Sequence, residues 1–116
     1  MVFQLSSALL DACVLAELSN EETYGYVLTQ ELKDRFELSE SSLYPVLRRL
    51  QKEGCLVTRD RPFQGRNRRY YSITPQGVQK LAEYRGEWKD YRSRIDRTIL
   101  GGTLDEPGAV SDKAEP

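Results

Sequence analysis

Apolar positions along the chain follow a helical rhythm, lose it in the middle, and regain it. From about residue 5 to residue 18, small and aliphatic side chains occupy nearly every face. That predicts a buried helix, broken by Asn20, Glu21 and Glu22. From about Thr23, the residues Tyr24, Leu28, Leu32 and Phe36 fall four apart on one stripe, the spacing of a second helix. Glu37 and Leu38 make a short connection, and Ser39 is placed to cap a third helix. Leu43, Val46, Leu47 and Leu50 give that helix an apolar face at i, i+3, i+4 and i+7, and Gly54 supplies its stop. Residues 55–59 and 69–73 then read as two short strands. With the loop 61–68 between them they predict a hairpin. Thr74-Pro75 opens the last helix, because Thr caps well and Pro fits a first position whose N–H has no partner. That helix runs to about Leu100, where Gly101-Gly102 ends it.

This order predicts a mainly α chain with a small β-hairpin. It divides into a winged helix-turn-helix over residues 1–74, a long C-terminal dimerisation helix over 75–100, and a disordered acidic tail over 101–116. The longest unbroken apolar run is Ala12-Cys13-Val14-Leu15-Ala16, too short to span a membrane, and a cytoplasmic location is expected. The chain contains no histidine, which removes the commonest general base and every imidazole metal ligand. Cys13 and Cys55 are lone thiols in apolar stretches, read as buried and inert. Neither an enzyme nor a metal or cofactor site is expected.

The net charge of −1 changes its meaning when the chain is divided. Residues 1–40 carry two basic side chains against eight acidic, residues 41–97 fourteen against six, and residues 98–116 one against four. Phosphate affinity follows local Lys and Arg density, so the basic middle suits double-stranded DNA. Successive 100° steps along the third helix set Ser41, Pro45, Arg48 and Lys52 opposite its apolar face, with Tyr44 and Arg49 on the flanks. Hydroxyls, a phenol and arginines at such positions can reach base edges and phosphates in the major groove. Arg66, Arg68 and Arg69, beside Gly65, are placed to hold the flanking backbone or minor groove. The two basic clusters are expected to share one face.

On the last helix Leu81, Tyr84, Trp88, Tyr91 and Ile95 are spaced 3, 4, 3, 4, the seam of a helix that packs along another. Its 25 or so residues would span about 37 Å, more than the remaining domain can cover, so part of the seam is expected to meet a second copy of the chain. Trp88, the only tryptophan, lies mid-seam, where it reads as an interface anchor and as the wall of a site for a planar aromatic effector. The rival reading from these residues is a winged-helix protein-interaction module without DNA binding.

Several short stretches together resemble the PadR-type transcriptional regulators over roughly residues 5–100. They are Tyr24-Gly25-Tyr26, then Leu43-Tyr44-Pro45-Val46-Leu47-Arg48-Arg49-Leu50 followed by Lys52-Glu53-Gly54, and Arg69-Tyr70-Tyr71-Ser72-Ile73-Thr74 with Gly77 after it. With a single C-terminal helix the chain resembles the short branch of that family. The resemblance implies a dimeric winged-helix repressor whose C-terminal helices, with helix one of the partner, form the interface. It also implies, for some short-branch members, an aromatic ligand in a pore lined by a tryptophan that Trp88 matches. Asp11 and the small residues Ala8, Ala12 and Ala16 depart from that pore's pattern.

Overall fold

Local capping chemistry sets most element boundaries. The computed structural model describes residues 2–101. Ser6 accepts a hydrogen bond from the Leu9 amide at 3.1 Å and so starts α1 (Ser7–Asn20) later than residue 5. The second helix also starts later than the stripe from Thr23 suggests. Thr23 and Tyr24 form a short strand, β1 (Thr23–Tyr24), and α2 (Gly25–Phe36) follows it. Glu37 ends α2 in the left-handed region (φ 57°), its amide bonded back to the Lys33 carbonyl. Ser39 precedes α3 (Glu40–Lys52) as expected, but its hydroxyl engages those of Ser41 and Ser42 at 3.0 Å instead of a backbone amide.

The hairpin is longer than its sequence pattern suggests. Strands β2 (Leu56–Phe63) and β3 (Arg66–Ile73) pair antiparallel along their full length. Only Gln64 and Gly65 connect them, both at positive φ (51° and 80°), as a two-residue turn matched to strand twist requires. Much of the expected loop 61–68 is therefore strand. Pro62 is tolerated because β2 is an edge strand in the order β1-β3-β2, where a missing donor breaks no central ladder. β1 adds a third strand to the predicted two, pairing Thr23 with Tyr71 and Tyr24 with Tyr70.

Thr74 and Pro75 open α4 (Pro75–Leu100) as predicted. The Thr74 hydroxyl accepts from the Gly77 amide at 3.0 Å and donates to the Gly54 carbonyl at 2.7 Å. A Cβ on Gly77 would collide with the Cys55 carbonyl oxygen, so glycine is required where α4 starts against the residue that leads into β2. The chain divides into two units, the first ending at Ala82 and the second beginning at Glu83 within α4. The first unit's core gathers Leu10, Val14, Leu15 and Leu18 of α1 with Leu28 and Leu32 of α2. Leu43, Val46, Leu47 and Leu50 of α3, Cys55, and Leu56 and Tyr71 of the sheet join them. Leu81, the first residue of the α4 seam, is 3% exposed and belongs to this buried set. The expected acidic tail, apart from Gly101, lies outside the described residues.

Candidate nucleic-acid interface

The third helix separates its two faces cleanly. Leu43, Val46, Leu47 and Leu50 are buried, and Ser41, Tyr44, Pro45, Arg48 and Lys52 are exposed. Pro45 sits inside α3, where it cannot donate to the carbonyl one turn earlier. Glu40 in the first turn and Arg49 and Lys52 in the last complement the helix dipole. Arg48 and Lys52 have no carboxylate partner among the described residues, so both cations are available to an anionic ligand.

Arg49 has a different task from its neighbour. Its two terminal nitrogens donate to the two carboxylate oxygens of Asp11 at 2.8 and 2.6 Å, and Asp11 is 4% exposed on α1. A two-pronged pair of this kind is among the stronger charged contacts. It ties the third helix to the first. Asp11, read from sequence only as a departure from the pore's pattern, is the partner that the sequence reading missed. A carboxylate in an otherwise apolar helix was the signal that could have revealed it.

Strand register decides where the wing arginines stand. Residues directly opposite in an antiparallel pair point to the same face, and neighbours along a strand alternate. Arg66, Arg68 and Tyr70 therefore share one face with Phe63, Arg61, Arg59 and Tyr24, while Arg69 and Tyr71 share the other with Asp60 and Leu56. Leu56 and Tyr71 are buried, so Arg69 belongs to the inner face and Arg66 and Arg68 to the outer. The three arginines expected on one surface are divided between two.

On the inner face, Arg69 donates to Asp60 at 3.1 Å. That bond, with a second from Asn67, holds the Asp60 carboxyl below its usual range, and the Asp60 contact raises the Arg69 guanidinium. Burial pushes the Tyr71 phenol up. Arg69 lowers it, Tyr44 raises it and Arg48 lowers it, so the base of the wing shares one electrostatic neighbourhood with the exposed side of α3. On the outer face, the Arg68 guanidinium carbon lies 3.6 Å from the Phe63 ring centroid and 4.4 Å from that of Tyr24, and Arg61 lies 4.6 Å from Tyr70. These are diagonal neighbours across the strands, within reach of long side chains.

On the second unit, Trp88, Tyr91 and Ile95 are 41%, 54% and 38% exposed, and the Trp88 and Tyr91 rings stand 6.2 Å apart. Tyr84 of the same spacing is half-buried. No group of three or more acidic or cysteine side chains able to hold a metal occurs among the described residues. No helix among them is long and apolar enough to cross a membrane.

Comparison with known proteins is consistent with this architecture. A family model described as the transcriptional regulator PadR-like family matches residues 14–83. The chain is 38% identical over 90 residues to the transcriptional regulator Rv3488 of Mycobacterium tuberculosis, covering 77% of this chain and 80% of that protein. Among solved structures, smu.1704 from Streptococcus mutans superposes with a TM-score of 0.80 at 35% identity, covering 91% of this chain and all of that one. A PadR-like transcriptional regulator from Bacillus cereus gives 0.70 at 34% identity, covering 81% and 93%.

Proposed function

The chain belongs to the PadR-like family of transcriptional regulators, and from that premise we propose that it is a homodimeric repressor that reads an operator with α3 of each copy. It is a DNA-binding regulator, not an enzyme. The observation that carries the finer reading is the exposed side of α3, where Ser41, Tyr44, Arg48 and Lys52 project opposite a fully buried apolar face. Tyr44, Arg48 and Lys52 meet the major groove and its phosphates, and Ser41 lies at the helix's leading end. Arg69, in the electrostatic neighbourhood of Tyr44 and Arg48, adds a backbone contact from the wing. Arg49 is assigned to holding α3, because Asp11 occupies its guanidinium edge.

The seam of Trp88, Tyr91 and Ile95 supports pairing of two copies, since three large apolar side chains this exposed on one helix mark an interaction surface. A Cβ on Gly86 would meet nothing within 4 Å in the single chain, which leaves room for a second helix to approach. Two copies supply two-fold symmetry, so half-sites about one helical turn apart are expected. A planar aromatic effector stacked on Trp88 would act by changing the spacing between the two readers. The site of such action is cytoplasmic, where the DNA is.

The test is fluorescence anisotropy on a duplex from upstream of the protein's own gene, with a scrambled duplex as control, at roughly 150 mM salt, where non-specific binding is only about 10⁻⁴–10⁻⁶ M. Nanomolar binding to the native duplex alone supports a self-regulating repressor. Weak, equal binding to both argues against that operator and returns weight to a protein-interaction role. Titration of planar aromatic compounds against Trp88 fluorescence tests the effector, and a diverse panel without quenching would reject it.

A further inference from the structure

Arg59, Arg61, Arg66 and Arg68 all project from the outer face of the sheet. Arg61 and Arg68 stand directly opposite each other, an arrangement that is unfavourable for like charges. Among the described residues Glu22 is the carboxylate paired there, bonded to Arg59 at 2.5 Å and 3.9 Å from Arg61. Four arginines against one glutamate leave an excess of three positive charges. Without bound DNA such a face repels itself, so an anion that covers it is stabilising. The face also offers geometry for carboxylates. Arg68 lies over a ring from the strand on each side of it, Phe63 of β2 and Tyr24 of β1. A guanidinium stacked on rings keeps its N–H donors in its own plane, where they can bond paired oxygens. Val57 and Phe63, 54% and 42% exposed, add apolar surface at either end of the Arg59 and Arg61 row along β2.

The chain carries the complement of this face in its own sequence. Residues 102–116 hold Asp105, Glu106, Asp112 and Glu115 against Lys113, an excess of three negative charges. Leu104 and Val110 stand close to those acids, the same mixture of apolar and charged positions that the face presents. Fully extended, these residues reach at most about 50 Å. The 26 residues of α4 measure about 39 Å. The segment is therefore long enough to return past the whole helix that it follows.

We propose that residues 102–116 dock through their carboxylates on the outer face of the sheet, an autoinhibitory contact that a duplex must displace. The proposal rests on the DNA-binding reading above and adds regulation to it. Wing arginines expected beside the DNA backbone are held by the chain's own acids until a duplex takes their place. The chain's own segment is favoured over a separate acidic protein, because tethering keeps it at an effective concentration of about a millimolar.

The test compares wild type with a full-length variant carrying Asp105→Asn, Glu106→Gln, Asp112→Asn and Glu115→Gln. Anisotropy is read on a mixed-sequence duplex of roughly 30 base pairs, because phosphate contacts do not depend on sequence. A tethered segment that occupies its site about nine-tenths of the time lowers apparent affinity about tenfold. The variant is therefore expected to bind about tenfold tighter at roughly 50 mM salt. Its slope of log K against log salt should steepen by up to about 0.9 for each arginine uncovered. In a background of Arg66→Gln and Arg68→Gln, the same tail substitutions should change affinity by less than about twofold. A general effect of net charge would persist there at full size, and that persistence overturns the proposal. Equal binding by wild type and the tail variant also overturns it. If neither chain binds the duplex, the DNA-binding reading fails by itself. The amide resonances of residues 59–70 then decide the contact without DNA. They should shift when the tail is neutralised, and unmoved resonances overturn the proposal.

Discussion

Arg48 and Arg49 are adjacent in sequence, yet one helical step of about 100° sends them to different tasks. Arg48 projects from the exposed side of α3, and Arg49 closes on the buried carboxylate of Asp11. Arg49→Ala would take its two-pronged partner from a carboxylate at 4% exposure. Its cost is expected at about 2–4 kcal/mol, slightly discounted because the arginine keeps some solvent contact. A urea unfolding series measures this directly. Replacing Asp11 and Arg49 together with Leu should recover most of the loss, since no charge is then left unpaired. The two arginines should also differ in their DNA behaviour. Arg49→Ala should leave the salt slope of DNA binding unchanged at temperatures where the variant is folded, whereas Arg48→Ala should lower it by about 0.9 per protomer. A lowered slope in Arg49→Ala would return that residue to the DNA contacts.

At the scale of the element, the wing carries an internal brake. Asp60 lies directly across from Arg69 and binds it at 3.1 Å, so a phosphate must compete with a carboxylate for the same guanidinium. Asp60→Asn removes that competitor and one negative charge. It is expected to strengthen non-specific DNA binding and to steepen its salt dependence by about one unit per protomer, read by anisotropy over a salt series. The base of the wing responds to alkali instead. Burial raises the Tyr71 phenol above its ordinary value of 10.0, so folding favours the neutral form. Stability is therefore intact below that ordinary value and declines as pH rises through the folded value. Thermal melts of wild type and Tyr71→Phe should diverge only on the alkaline side, with the variant losing less. The elements were legible in sequence to unequal degrees. The apolar face of α3 and the Thr74-Pro75 start of α4 could be read directly because spacing and capping are local chemistry. β1 was not legible, because two residues carry no period and their pairing with Tyr70 and Tyr71 is a long-range fact. The hairpin's length was hidden because Arg61, Pro62 and Arg66 look like loop residues. Pro62 is accepted because β2 is an edge strand, and the arginines because they are exposed. The division of the arginines between two faces followed from that register, since an offset of one position reverses every side chain.

For the whole molecule the decisive quantity is how many readers engage DNA at once. A single winged unit makes few phosphate contacts, whereas two linked units gain by effective concentration, a factor of roughly 10²–10⁴ in affinity without any new contact. The exposed seam on α4 supplies the link in the proposed dimer, and its first residue, Leu81, is already buried within the first unit. Ile95 is the cleanest point of attack, because it lies in the seam at 38% exposure and outside the unit that ends at Ala82. Ile95→Glu places a charge that an apolar interface would have to desolvate, at several kcal/mol for each copy. Sedimentation should then show a monomer. Far-ultraviolet circular dichroism should still show the helices, because the substituted side chain faces solvent in the single chain. Affinity for a two-half-site duplex should fall by about a hundredfold or more, while affinity for a single half-site stays near its wild-type value. The pairing of those two results carries the argument. Equal losses on both duplexes would mean that the seam supports the reader itself and not its duplication. A dimer that survives the substitution would place the interface elsewhere on the chain.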